Sequence, residues 1–92
     1  MPSSSESWTL NYIPESGGRI LGTLTVSDSD VTFAGGETDD IVLPRAAIAR
    51  AEAAKKRLMK RVVITTTDGR SFTFEYGFLS VSRIVDAINA RG

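Results

Sequence analysis

The chain has 92 residues, of which 41% are hydrophobic and 24% charged, with eleven basic and eleven acidic side chains and a formal net charge of zero. This length suits one domain with a single core, and no apolar run approaches the roughly 20 residues that a membrane-spanning helix needs. Histidine and cysteine are both missing, which excludes the side chains most used for metal binding, thiol nucleophiles and proton transfer near neutral pH. We therefore predict no enzyme activity, no metal and no cofactor.

The charges are unevenly distributed along the chain. Residues 1–44 contain seven acidic side chains and one basic one, whereas residues 45–92 contain ten basic and four acidic side chains. Regions of opposite sign favour self-association if folding places them on separate surfaces. Residues 1–7 lack the basic and apolar regions of a secretory signal. We expect a flexible tail over 1–7, one domain over 8–92 and a cytoplasmic location.

The first half of the chain predicts four short strands separated by turns that contain glycine, serine or acidic residues. The predicted strands are Trp8–Ile13, Arg19–Val26, Val31–Ala34 and Ile41–Pro44. The first ends at Pro14, which has no N–H to donate to a strand ladder. Within the second, Gly22 predicts either a bulge or a close backbone contact.

Residues 45–61 give conflicting signals. Their alanine, lysine and arginine content is the most helix-favouring of the chain, but the large apolar residues Ile48, Leu58 and Met59 do not form a continuous helical stripe. As a strand, the first part of the segment alternates small or apolar with charged side chains up to a turn at Lys55–Lys56. The residues alone leave a helix and a strand-turn-strand both open.

The clearest local signal is a β-hairpin over residues 62–76. Two β-rich runs meet at Asp68-Gly69, a dipeptide typical of tight turns between strands. Apolar side chains alternate along both runs, which predicts aromatic cross-strand pairs on one face. The members of that face are Val62, Ile64, Phe72, Phe74 and Tyr76.

An amphipathic helix is predicted after Gly77. Ser80 is a suitable N-cap, and the apolar residues that follow are spaced i, i+3, i+4 and i+7. These residues are Val81, Ile84, Val85 and Ile88. We expect the helix to end near Gly92.

The order and spacing of these motifs resemble the GRAM and pleckstrin-homology (PH)-like family over nearly the whole chain. The residues that carry the resemblance are Gly22, Leu24, Val26, Val31 and Phe33, then Ile41, Leu43, Pro44 and Ile48, then Asp68, Gly69 and Phe74. The resemblance implies a mainly β domain, a barrel-like sandwich of about seven antiparallel strands in two sheets capped by one C-terminal helix. It also favours a strand for residues 48–54.

A run of basic residues is the candidate binding patch. It comprises Lys55, Lys56, Arg57, Lys60 and Arg61. Such a run produces a positive potential able to meet phosphate or an acidic partner, although lysines also protect a sheet edge from unwanted pairing. In lipid-binding relatives the headgroup is held by bases around the first inter-strand loop, which here contains Glu15 and is followed only by Arg19.

Three apolar residues are candidate interface positions: Leu58 and Met59, which lie within the basic run, and Trp8. We therefore predict a non-enzymatic interaction module that binds a protein partner or a second copy of itself. The alternative hypothesis is a peripheral module that binds anionic lipid, of the phosphoinositide type, through residues 55–61. The zero net charge and the absence of aromatic residues in the run argue against nucleic acid.

Overall fold

The computed structural model describes residues 5–36, 40–77 and 80–89. These ranges contain seven strands: β1 (Glu6–Ile13), β2 (Ile20–Val26), β3 (Asp30–Gly35), β4 (Ile41–Pro44), β5 (Ile48–Lys56), β6 (Met59–Thr66) and β7 (Ser71–Glu75). A 3-10 helix spans Arg45–Ala47, and the α-helix α1 spans Ser82–Asn89. The prediction of a mainly β domain with one C-terminal helix is confirmed. β1 begins two residues before the predicted start, and residues 1–4 of the expected tail lie outside the described ranges.

All seven strands form one antiparallel sheet in the order β4-β3-β2-β1-β7-β6-β5. The prediction of two sheets is not confirmed, because β1 pairs with β2 along most of its length and continues into a pairing with β7 at Asn11, Tyr12 and Ile13. The edge strands β4 and β5 are joined only by the three residues of the 3-10 helix, so the sheet must curl to bring its two ends together. No pairing between β4 and β5 is found among the described residues, and the barrel is therefore open.

The core lies on the inner face of the curled sheet. Its buried members are Leu10, Leu24, Val26, Val31, Phe33, Leu43, Ala51, Val62, Ile64, Phe72 and Phe74 from the strands, with Ile84 and Ile88 from α1 and Val81 directly before it. The rings of Tyr12, Phe33 and Phe74 pack against one another with centroids 5.4 to 5.8 Å apart. Each large apolar side chain buried in this way stabilises the fold by about 1.5–3 kcal/mol.

Gly22 is a close backbone contact and not a bulge. It pairs in continuous register with Leu10 of β1 and Gly35 of β3. A Cβ atom at this position would lie 2.6 Å from Cζ of Phe33 and 2.8 Å from Cα of Gly35, and it would also meet the carbonyl oxygen of Ala34. The ring of Phe33 therefore lies over a position that only glycine fits.

The segment 45–61 is a strand-turn-strand, so the helix alternative is excluded and the strand implied by the family resemblance is confirmed. β5 and β6 are joined by the two-residue turn Arg57-Leu58, two residues later than predicted. Ala51 lies in the core, where α1 contacts β5. Packing against the helix thus overrides the helical propensity of the alanines.

The hairpin predicted at Asp68-Gly69 is confirmed in detail. The N–H of Gly69 donates to the carbonyl of Thr66 at 3.0 Å, and the N–H of Thr66 donates to the carbonyl of Arg70 at 2.8 Å. Gly69 has a φ of 88°, which matches a three-residue hairpin loop that ends in a left-handed glycine. The Thr66 hydroxyl donates to the Asp68 carboxylate and holds the pKa of Asp68 below its usual value.

The predicted apolar stripe is confirmed, since Ile84 and Ile88 of α1 and Val81 directly before it are buried and Val85 is half-buried. The helix begins two residues after Ser80, whose hydroxyl accepts a hydrogen bond from the N–H of Ser82 at 3.3 Å. Its predicted end near Gly92 lies outside the described residues.

Arg45 holds the end of α1 against the sheet. Its guanidinium donates to the carbonyls of Ala87, at 3.2 Å, and Ile88, and also to the carbonyl of Ser27, at 3.0 Å. A cation at a helix C-terminus is electrostatically favourable. This residue therefore joins the end of α1 to the turn between β2 and β3.

Candidate functional site

The five basic residues of the predicted patch do not form one surface. Lys55 and Lys60 are directly opposite each other across β5 and β6, and both belong to the inner face because side chains alternate along a strand. Lys56 and Arg61 belong to the outer face. Arg57 lies in the turn with a φ of 58°, a conformation that a bulky side chain rarely adopts.

Arg61 is engaged inside the domain. Its Nε donates to Oε2 of Glu75 at 3.0 Å, while Nε of Arg19 donates to Oε1 at 2.6 Å. Only 1% of Glu75 is exposed. The hydrogen bond from Arg19 lowers the pKa of Glu75, burial opposes this change, and the hydrogen bond from Arg61 adds to the lowering. The other four residues of the basic run form no ion pair within the described part of the chain.

The three candidate interface residues occupy different environments. Leu58 is 72% exposed at the end of the hairpin, next to Arg57. Met59 is half-buried at the start of β6. Trp8 is half-buried and packs against the core. Of the three, Leu58 is therefore the side chain that projects farthest into solvent.

The outer edge of β5 is partly occupied by α1. The N–H of Ala51 donates to Oδ1 of Asn89, and Nδ2 of Asn89 donates to the carbonyl of Ala51, both at 2.9 Å. Since backbone groups alternate in direction along an antiparallel strand, those of Ala53 and Lys55 face the same open side. The sequence does not predict this contact of Asn89, because a polar residue at the end of a helix carries no signal of a partner 38 positions away.

A groove of about 590 Å³ lies between this edge and the start of α1. Lys55 and Lys60 line one side, Ser80 and Ser82 line the other, and Ala53 and Val81 are also part of the lining. The two serines were missed as lining residues because they lie 20 or more positions from the lysines in the sequence. The groove therefore combines an unpaired strand edge with two cations and two hydroxyl groups.

A second groove, of about 930 Å³, lies between the β1–β2 loop and the β6–β7 turn. Glu15, Arg61 and Arg70 are among its charged lining residues. Both arginines are engaged elsewhere, since Arg61 pairs with Glu75 and the guanidinium of Arg70 lies 5.0 Å from the centre of the Phe72 ring. Because Glu75 compensates the charge of Arg61 and Glu15 also lines this groove, it offers less uncompensated positive charge than the groove beside β5.

The described residues contain no group of three or more acidic, histidine or cysteine side chains placed to hold a metal ion. None of their helices has the length and apolar character needed to cross a membrane.

No protein-family model and no curated protein sequence matches this chain, but solved structures match its fold. The C-terminal domain of an unknown protein from Leishmania infantum has a TM-score of 0.81 at 12% identity, over 97% of this chain and 84% of that one. The structure of the Spt16D–Pob3N heterodimer matches with a TM-score of 0.74 at 13% identity, over 95% of this chain and 49% of that one. The C-terminal phosphotyrosine interaction domain of mouse APBB2 matches with a TM-score of 0.64 at 9% identity, over 99% of this chain and 88% of that one. The fold of the chain is therefore similar to that of these domains and to the PH-like fold expected from the sequence.

Proposed function

We propose that this chain is a non-enzymatic interaction module that binds an extended segment of a protein partner along the free edge of β5. The observation that carries this proposal is the edge itself: Asn89 occupies the backbone groups of Ala51, while those of Ala53 and Lys55 face away from β6, and none of the described strands lies beside them. An unpaired edge is a template for an added strand, to which main-chain hydrogen bonds give affinity. The adjacent groove leaves room for the side chains of that segment.

Two neighbours of the same fold support this proposal. One is described as a phosphotyrosine interaction domain and another as part of a heterodimer, so both descriptions concern binding. The fold alone hosts many functions. The edge geometry of this chain is what directs the proposal to β5.

The test compares Ala53→Pro with Ala53→Ser as baits in extracts of the native host. Proline removes the N–H that an added strand would use and is tolerated on an edge, whereas serine keeps that N–H. Circular dichroism first establishes that both variants are folded. We expect the wild type and Ala53→Ser to capture the same proteins and Ala53→Pro to lose them. Capture of the same set by folded Ala53→Pro would refute docking at this edge.

A second candidate function is binding to an anionic membrane surface. The observation that favours it is Leu58, which is 72% exposed in a turn beside Arg57 and close to Lys56. An apolar group flanked by cations suits insertion at a charged interface, where each base contributes about 1 kcal/mol. Co-sedimentation with anionic vesicles at low and high salt tests this function. Binding that is salt-sensitive and reduced in Leu58→Ser would support it, whereas no binding at either salt concentration would remove it.

Three finer assignments are also proposals. We propose the GRAM branch of the PH-like class from the residue pattern around Gly22 and Asp68-Gly69, and self-association from the uneven charge distribution along the chain. Sedimentation velocity at low and high salt tests the latter, since a monomer under both conditions would exclude it. A cytoplasmic location stays a prediction of the sequence, to be tested by fractionating host cells.

A further inference from the structure

Lys55 and Lys60 form an uncompensated pair of like charges. They lie directly opposite each other on the inner face of the β5–β6 hairpin, at a position where the strands do not exchange hydrogen bonds and side chains come closest. Like charges in this arrangement destabilise a sheet. Carboxylates pair with four of the described arginines, which are Arg19, Arg50, Arg61 and Arg83. By contrast, no described carboxylate lies within 4.0 Å of either lysine. An anion between the two lysines would offset this repulsion.

The opposite side of the groove supplies hydrogen-bonding groups. The hydroxyls of Ser80 and Ser82 lie 3.0 Å apart and both line the groove. Ser82 is also the first residue of α1, and the first turn of this helix contains no acidic side chain. The positive end of the helix dipole is therefore not neutralised by its own side chains. Cations, hydroxyls and the helix start all favour the same sign of ligand.

From this arrangement we propose that the groove binds a phosphate monoester carried by the segment that docks at β5. This proposal rests on the proposed function, since the groove opens beside the free edge at Ala53 and Lys55. The four contributing residues are Lys55, Lys60, Ser80 and Ser82. A dianionic phosphate has several acceptor oxygens and can receive hydrogen bonds from both lysines and from the hydroxyls at once. A free carboxylate has fewer acceptor sites and half the charge.

The test needs no partner protein, so its failure is separate from failure of docking at β5. The full chain, labelled with ¹⁵N, is titrated with phenyl phosphate and, in parallel, with inorganic phosphate and benzoate. We expect amide shifts in residues 53–60 and 80–82 with a dissociation constant on the order of millimolar for phenyl phosphate. Benzoate should bind about tenfold more weakly.

Lys60→Gln is the informative variant, and Lys56→Gln is its matched control. Both remove one positive charge from the same hairpin, but Lys56 belongs to the opposite face of the sheet. We expect Lys60→Gln to weaken phenyl phosphate binding about tenfold and Lys56→Gln to leave it nearly unchanged. Equal losses in the two variants would indicate attraction to the hairpin as a whole and would overturn the site. Absence of shifts at residues 80–82 would also overturn it.

Two further measurements complete the test. Because Lys55 and Lys60 repel each other, Lys60→Gln should have a higher midpoint of thermal unfolding than the wild type at low salt without phosphate. With phosphate present, the wild type should have the higher midpoint, because it binds the anion more tightly. Vesicles that contain a phosphoinositide distinguish the lipid source of the same chemistry. If the chain binds these vesicles and not phenyl phosphate, the peptide-phosphate proposal is wrong, whereas the edge-docking proposal is still decided by Ala53→Pro.

Discussion

Replacing Glu75 by glutamine tests the ion-pair network on the outer face of the sheet. The carboxylate accepts from Arg19 and Arg61 at 2.6 and 3.0 Å. Arg19 is 55% exposed, and an exposed pair contributes about 0.2–1 kcal/mol. Arg61 is only 20% exposed, and a hydrogen bond to a charged group in such a setting contributes about 1.5–3 kcal/mol. Glutamine keeps one acceptor oxygen, so we expect a loss of about 2 kcal/mol in unfolding free energy, or about 10 °C in Tm.

The same network predicts how stability depends on pH. The pKa of Glu75 in the folded chain lies below its ordinary value of 4.5, so the unfolded chain takes up the proton first as the solution is acidified. The contribution of Glu75 is therefore fully present above about pH 4.5 and is lost as the pH falls through the folded-state pKa. The difference in unfolding free energy between the wild type and Glu75→Gln should therefore become smaller as the pH falls through this range.

Urea unfolding at a series of pH values, from neutral to acidic, measures both the loss of unfolding free energy and its dependence on pH. Glu52→Gln is the control. Glu52 pairs with Arg50 at 2.9 Å, but both side chains are more than half exposed. We expect this control to differ from the wild type by less than about 0.5 kcal/mol. Equal losses in Glu75→Gln and Glu52→Gln, or a difference from wild type that is constant with pH, would refute the reasoning.

Three other substitutions have defined outcomes. Gly22→Ala should lower the free energy of unfolding by about 1–3 kcal/mol, measured in urea, because its Cβ would meet backbone atoms and a buried ring. The control Gly36→Ala should be nearly neutral, because no atom lies within 4 Å of the new Cβ. Arg57→Gly should stabilise the chain by about 0.5–1 kcal/mol by removing a left-handed bulky residue; a lower urea midpoint would contradict this. Asn89→Ala should cost about 1–2 kcal/mol and accelerate hydrogen exchange at the Ala51 amide; unchanged exchange would show that the amide is protected in another way.

The parts of the fold that were predicted depend on local signals. The four apolar residues from Val81 to Ile88 describe one helical face, and Asp68-Gly69 places a turn between alternating runs. Both patterns lie within a few residues of chain, so periodicity and turn chemistry are enough to identify them. The position of Gly22 in a tight contact was also among the alternatives that the sequence left open.

The parts that were not predicted depend on contacts between distant residues. Residues 45–61 have the composition of a helix, and their extended form follows from pairing with β7 through β6 and from the packing of α1 over Ala51. The contact of Asn89 with Ala51 joins residues 38 positions apart. The division of the basic run between two faces follows from the placement of Lys55 and Lys56 at the end of β5 and of Lys60 and Arg61 at the start of β6, because neighbouring side chains alternate between faces along each strand.

The two edges of the sheet are protected in different ways, and this difference determines where a partner segment can add. β4 has four residues and ends in Pro44, so it offers few donors to another strand. β5 has nine residues, and Asn89 covers only the backbone groups of Ala51. The uncovered stretch at Ala53 and Lys55 would accept a segment of only a few residues through its main chain. Such a short ladder gives little affinity alone, so side-chain recognition in the adjacent groove must supply much of the binding energy and the specificity.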